Sequence, residues 1–239
     1  MGRQEKVASP RSLSRIYRRL FSAFGPQHWW PGETPFEVAV GAILTQNTSW
    51  ENASRAVEEL KRRKLLDPSR LSRLPQRRLA RIIRSCGYFN QKAKRLKVFV
   101  RYLMQRYGGR IERMRVVPTD RLREELLGLW GICPETADSI LLYALGKPIF
   151  VVDAYTHRVL ARHSLTSREA SYDQIQRLFD ALPDEGRGRP ALFNEYHALF
   201  VQVGKSLCKT HRPLCSKCPI RHLGTLNLDP QPIVLKRDR

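Results

Sequence analysis

Helical periodicity constrains this chain more than any other feature of its sequence. Apolar residues recur at i, i+3 and i+4 through Glu37 to Leu44, Trp50 to Arg63, Pro75 to Arg84, Gln91 to Tyr107 and Thr119 to Leu127, and Lys or Arg fills the opposite face. Strand signals are weak by comparison. The one β-branched run, Ile149-Phe-Val-Val152, lies between Gly146-Lys-Pro148 and a new helical pattern, so it reads as a buried connection and not as a sheet edge. The expected fold class is all-α. Breakers at Pro31-Gly32, Pro118, Gly146-Lys-Pro148 and Glu185-Gly-Arg-Gly-Arg-Pro190 divide the chain into blocks, with no internal repeat. Residues 1–10 and 228–239 read as loose basic tails.

Charge narrows the choice of partner. In 239 residues, 43 Lys and Arg stand against 22 Asp and Glu, a formal net charge of +21 that points to a polyanion. The basic residues are spread along the whole chain and do not gather beside one amphipathic helix, which favours nucleic acid over an anionic membrane. No stretch approaches the roughly 20 apolar residues of a membrane span. Met1 to Arg19 has no apolar run of the secretory kind, so the expected location is the cytoplasm.

Four segments carry the chemistry. The first is Leu129-Trp-Gly-Ile-Cys-Pro-Glu-Thr-Ala137, which joins a short helix to one that Pro134 opens. This is the pattern of a helix–hairpin–helix, whose turn directs backbone N–H groups at a phosphate without reading sequence. A plain αα-corner fits the same spacing. In the hairpin reading the contact residues are Gly131, Ile132, Cys133 and Thr136, and Cys133 stands where a second glycine would let the backbone approach closely. The second is Val151-Val-Asp-Ala-Tyr-Thr-His-Arg158. Asp153 can cap the helix that follows, and the same carboxylate can stabilise an oxocarbenium-like sugar or polarise a water. Both roles can hold at once.

The third segment is Cys208-x6-Cys215-x2-Cys218, set among Lys205, Lys209, His211, Arg212, Lys217 and Arg221. Three thiolates are one short of a full set. His211, His222 or an outside ligand completes a metal site, or the loop holds none. The fourth combines Trp29-Trp-Pro-Gly32 with the helix from Phe36 and the polar break Gln46-Asn47-Thr48 before Trp50. Amides at such a break can fill the space left by an extruded base, and aromatic rings can stack on that base. Alternatively Asn47 or Thr48 caps the next helix and the tryptophans are core. Basic residues at Arg62-Arg63-Lys64, Arg77-Arg78, Arg81, Arg84, Lys92, Lys94, Arg95 and Lys97 read in part as solvated faces, with Lys92 and Lys94 packed between helices.

Taken together and in this order, these motifs resemble the endonuclease III branch of the helix–hairpin–helix DNA glycosylases over residues 29–223. The resemblance rests on Leu44-Thr-Gln46, Gly87-Tyr-Phe-Asn-Gln-Lys-Ala-Lys-Arg-Leu96, the hairpin, Val152-Asp153 sixteen residues beyond Thr136-Ala137, and the cysteine loop. It implies a six-helix barrel at 36–148. It also implies a second helical lobe from 11–35 with 149–227, carrying an iron–sulfur-type loop at 208–224. Double-stranded DNA with damaged bases would bind across the cleft of a monomer, with the base flipped and Asp153 as the catalytic carboxylate.

Two departures from the family pattern matter. Bifunctional members carry a lysine that attacks the sugar where this chain has Glu135, and a carboxylate cannot form a Schiff base, so AP-lyase activity is not expected. The family's fourth cluster cysteine falls at Gly224. A 4Fe-4S cluster held by Cys208, Cys215 and Cys218 and a loop without a cluster therefore both stay open. The Trp-Trp-Pro segment and the residues after Leu44 look most like the endonuclease III-type 3-methyladenine glycosylases. That likeness implies removal of alkylated purines in a pocket of Trp29, Trp30, Gln46, Asn47, Trp50 and Glu135. An enzyme for oxidised pyrimidines or mismatched thymine or uracil, and a non-catalytic module that binds damaged DNA, are the alternatives.

Overall fold

The computed structural model describes residues 8–227. In chain order the helices are α1 (Pro10–Phe24), α2 (Pro35–Leu44), α3 (Trp50–Arg62), α4 (Pro68–Arg73), α5 (Gln76–Ile82), α6 (Phe89–Tyr107), α7 (Thr119–Leu127), α8 (Pro134–Ser139), α9 (Ala154–Arg162), α10 (Tyr172–Arg177) and α11 (Arg189–Ser206). No strand forms among the described residues, and Phe150, Val151 and Val152 run as buried irregular chain, as their sequence implies. No described helix is long and apolar enough to cross a membrane. Two compact units divide the chain, one spanning Trp30–Ile149 and the other made from the chain before Trp30 and from Phe150 onward. The first break therefore falls after Trp29, ahead of the expected boundary at Phe36.

The tails need a correction at one end. Of residues 1–10 and 228–239, only 8–10 lie inside the described residues, and these are ordered. Ala8 N–H donates to Leu165 O at 3.0 Å, and the Ser9 hydroxyl accepts from Ser12 N–H at 3.2 Å to cap α1, with Pro10 in its first turn.

The Trp30–Ile149 unit is built around α6, which packs on α2, α4 and α5 through Leu96, Phe99 and Leu103. Val40, Ile43 and Leu44 of α2 meet Ile140, Leu141 and Ala144 in the same core. Two lysines of α6 are structural. Lys92 is fully buried and donates to Cys86 O at 2.6 Å, while Lys97 donates to Leu71 O, Ser72 O and Leu74 O at 2.5–3.0 Å and so satisfies the orphan carbonyls at the end of α4. Lys94 departs from expectation: it is exposed, not packed between helices.

In the other unit α11 packs on α1 and α9. Phe150 stacks on Phe179 with centroids 3.5 Å apart and meets Phe193, Tyr196 and Phe200 edge-on. Removing such a buried ring costs about 3–5 kcal/mol. Tyr155 of α9 lies against Gly204 of α11, where an added Cβ would meet the ring at 2.5 Å. Arg158 then caps the end of α11, donating to Gly204 O at 3.1 Å and Cys208 O at 2.8 Å. These contacts fix the start of α9 against α11, and Asp153 stands at that start.

Candidate functional site

Asp153 is the N-cap of α9: its Oδ1 accepts from Thr156 N–H at 2.7 Å. Its Oδ2 lies 3.5 Å from His197 Nε2 of α11, and its side chain keeps 12% of its surface exposed. The segment before it is held from α10 and its N-cap side, since Gln176 Nε2 donates to Phe150 O at 2.6 Å and Val152 N–H donates to the Tyr172 hydroxyl at 3.3 Å. Burial pushes the carboxyl up, but His197 opposite and the Thr156 N–H outweigh it, so Asp153 titrates below the ordinary carboxylate value. The capping role and a reactive, ionised carboxylate are compatible here. His197 was not among the residues singled out from sequence; a histidine on an apolar helix carries no local signal.

Trp29, in the same unit, is tilted against His197 at 6.3 Å with Lys205 Nζ 6.0 Å from its ring. Trp30 and Trp50 belong to the other unit. They meet edge-on at 4.8 Å, and Trp30 stacks on Tyr143 at 5.1 Å. Gly41 of α2 makes room for both indoles, because a Cβ there would lie 3.4 Å from each. Tyr143 reaches Trp30 from Ile140–Ala144, where α8 continues as a π-helix. Such π-turns frequently mark functional positions.

The polar break is tied to the hairpin. Gln46 Nε2 donates to Thr136 Oγ1 at 2.5 Å and Gly131 O at 3.2 Å, with Cys133 Sγ 3.8 Å away, and its Oε1 accepts from Arg95. Asn47 is exposed and left-handed (φ +51°). Neither Asn47 nor Thr48 caps α3; Ser49 does, accepting from Asn52 N–H at 3.3 Å.

The hairpin runs from the end of α7 at Gly128 to Cys133, the N-cap of α8. Gly131 has φ +82°, and a Cβ there would lie 2.7 Å from Arg95 Cγ, so only glycine fits. Ile132 is buried beneath the turn. The N–H groups of Gly131 and Cys133 donate to no atom of the described residues. Glu135 is exposed in the first turn of α8. Trp130, not singled out from sequence, is 49% exposed beside these amides with Lys94 Nζ 3.9 Å from its ring centroid. A large ring next to Gly131 in a turn was the available signal.

The cysteine loop departs from a cluster site. Cys208, Cys215 and Cys218 are free thiols lining one small cavity with Arg162 and Arg221, and burial raises the Cys218 thiol. No set of three or more His, Cys, Asp or Glu among the described residues is arranged to hold a metal ion. His211 and His222 are exposed. At the fourth family position Gly224 has φ +88°, and a Cβ there would lie 2.3 Å from His163 O. The buried Arg162 side chain fastens the loop instead, with Nη1 3.4 Å from Cys208 Sγ and donating to Lys209 O at 2.5 Å, and Nη2 donating to Thr210 O at 2.8 Å. The residues present do not fit a four-thiolate iron–sulfur cluster.

Known proteins are similar to this chain in sequence and in fold. The family described as HhH-GPD superfamily base excision DNA repair protein matches residues 40–184. A relative from Methanocaldococcus jannaschii, whose name assigns it provisionally as a DNA repair glycosylase, is 43% identical over 87% of this chain and 94% of its own. The solved H. pylori 3-methyladenine DNA glycosylase bound to 1,N6-ethenoadenine is 29% identical, with a TM-score of 0.71 over 83% of this chain and 98% of that one. A non-covalent endonuclease III–DNA complex shares the fold, with a TM-score of 0.76 and 22% identity over 91% and 96% of the two chains.

Proposed function

Since the chain belongs to the HhH-GPD superfamily of base excision DNA repair proteins, we propose that it extrudes a damaged base from duplex DNA and hydrolyses the N-glycosidic bond, as a monofunctional enzyme for alkylated purines such as 3-methyladenine. The observation that carries this reading is the ionised, partly open Asp153 held between the Thr156 amide and His197. As the bond from C1′ to the base nitrogen breaks, the electron pair leaves with the base and positive charge develops on the sugar. The Asp153 carboxylate stabilises that charge and orients the water whose oxygen bonds to C1′, and it takes up the proton that this water gives up.

The remaining residues position the substrate in this reading. Gly131 and Cys133 N–H groups and the N-terminus of α8 take one backbone phosphate, and Gln46 keeps the turn in shape through Thr136 and Gly131. Trp30, Trp50 and Tyr143 offer an electron-rich surface suited to a cationic methylated base, as does Trp29. The alkylated-purine assignment draws support from the H. pylori structure, whose bound ligand is a modified adenine. Glu135 offers no amine to the sugar, so no strand scission accompanies base release. No step runs through an iron–sulfur cluster; Arg162 gives the loop the internal hold that a cluster would otherwise supply.

The test is excision from duplexes carrying 3-methyladenine, an oxidised pyrimidine or a mismatched thymine, each developed with and without hot alkali. Alkali-dependent breaks at 3-methyladenine are expected, and Asp153→Asn should bind DNA yet release no base. Breaks without alkali overturn the monofunctional assignment. Excision of the other lesions alone moves the substrate to the pyrimidines. No excision of any lesion leaves a DNA-binding module.

A further inference from the structure

Away from the hairpin, α3 and α5 enclose an open groove of about 440 Å³ lined by Arg55, Glu59, Arg63, Arg78, Arg81, Ile82 and Ser85. Its charges do not cancel. Glu59 is committed to its own helix: it accepts from Arg62 at 2.7 and 2.9 Å and from Arg63 at 2.6 Å, and these bonds pull its carboxyl down to about 2. Arg55 pairs loosely with Glu51 at 4.0 Å. Arg78 and Arg81 are exposed, and their guanidinium groups make no hydrogen bond or ion pair with any described residue. Two helices thus direct four arginines into one groove whose only carboxylate is already shared.

We propose that this groove is a second phosphate-binding surface, which follows the backbone of duplex DNA beyond the contact made by the hairpin. The proposal rests on the base-excision reading for the presence of DNA. Arg55 and Arg63 are eight residues apart on α3 and its C-cap, about 12 Å along the helix. At about 3.4 Å of rise per phosphate on one strand, that length spans roughly three to four phosphates, which suits an extended polyanion better than a single small anion. The lining includes no aromatic ring, so the groove lacks the stacking platform that single strands use, and Ile82 is its only apolar side chain, too little to anchor an acidic peptide. What remains is sequence-blind contact with a paired backbone.

The experiment measures affinity of the full chain for an undamaged duplex over a series of salt concentrations, with Arg78→Gln/Arg81→Gln beside wild type. Each phosphate contact contributes about 0.9 to the slope of log K against log salt, so the double variant should lose about 1.8. The control pair Arg110→Gln/Arg115→Gln, exposed elsewhere on the same unit, should leave the slope near wild type. An unchanged slope in the groove variant, or an equal loss in the control pair, overturns the proposal. So does a loss of binding to poly-glutamate with duplex affinity intact. The single variants, each expected to lose about 0.9, keep the test open if the double variant folds poorly. Wild-type excision is read separately: a slope change without excision of any lesion refutes the base-excision reading and keeps the groove, and excision with an unchanged slope does the reverse.

Discussion

At Asp153 one side chain both starts a helix and carries the proposed reaction, and its titration separates the two jobs. Its folded carboxyl lies below the ordinary value of about 3.9, so its native contacts contribute stability above that pH and lose it as pH falls through the folded value. Asparagine still caps a helix but carries no charge. The difference in Tm between wild type and Asp153→Asn should therefore narrow on acidification below about pH 4; a difference that widens contradicts the assignment. Gly131→Ala places a methyl group at φ +82° against Arg95, a strain of about 1–3 kcal/mol. Weaker binding to duplex, measured by anisotropy, should accompany the lower Tm. Asp153 and Gly131 stood out within local motifs, and Glu135 through the family resemblance. His197, Tyr143 and Trp130 did not, because their roles depend on which helix crosses which, and no local pattern encodes a crossing.

Among the elements, α3, α6 and α7 follow the apolar periodicity closely, since each buries one face and shows the other to solvent, whereas α2 is buried on nearly every side. The 18-residue α11 escaped that reading because Leu192, Phe193, Tyr196, Ala198, Leu199, Phe200 and Val201 bury it on nearly every side, leaving no stripe to detect. α1 escaped for the opposite reason: Leu13, Ile16, Tyr17 and Leu20 are a clean face diluted by arginine and serine. The π-turn after α8 breaks the period by one residue and is invisible to a search at 3.6. The cysteine loop belongs to this scale too. Spacing alone left a cluster and no cluster equally open; the backbone at Gly224 decides how the loop closes. Gly224→Cys should destabilise the protein by about 1–3 kcal/mol in urea titration and take up no cluster, because the new thiol would displace His163. Stoichiometric iron in that variant contradicts the closure.

For the whole molecule, the +21 charge gave the class of partner but not the surfaces it uses. Charge that looks uniform along the chain is used unevenly in three dimensions. Lys92, Lys97 and Arg158 hold backbone carbonyls, while the guanidinium groups of Arg78 and Arg81 meet no partner among the described residues. A tally of basic residues therefore overstates the number available to phosphate, and only the fold sorts them.

A loop pinned by a guanidinium obeys different chemistry from one wrapped around iron. Arg162 has no oxidation state to change and no ligand to surrender. Prolonged EDTA treatment should leave Tm and lesion affinity where they were, under conditions in which a metal-dependent fold would come apart. On the repair reading, the Arg162 contacts close this loop by a means that draws on no metal supply.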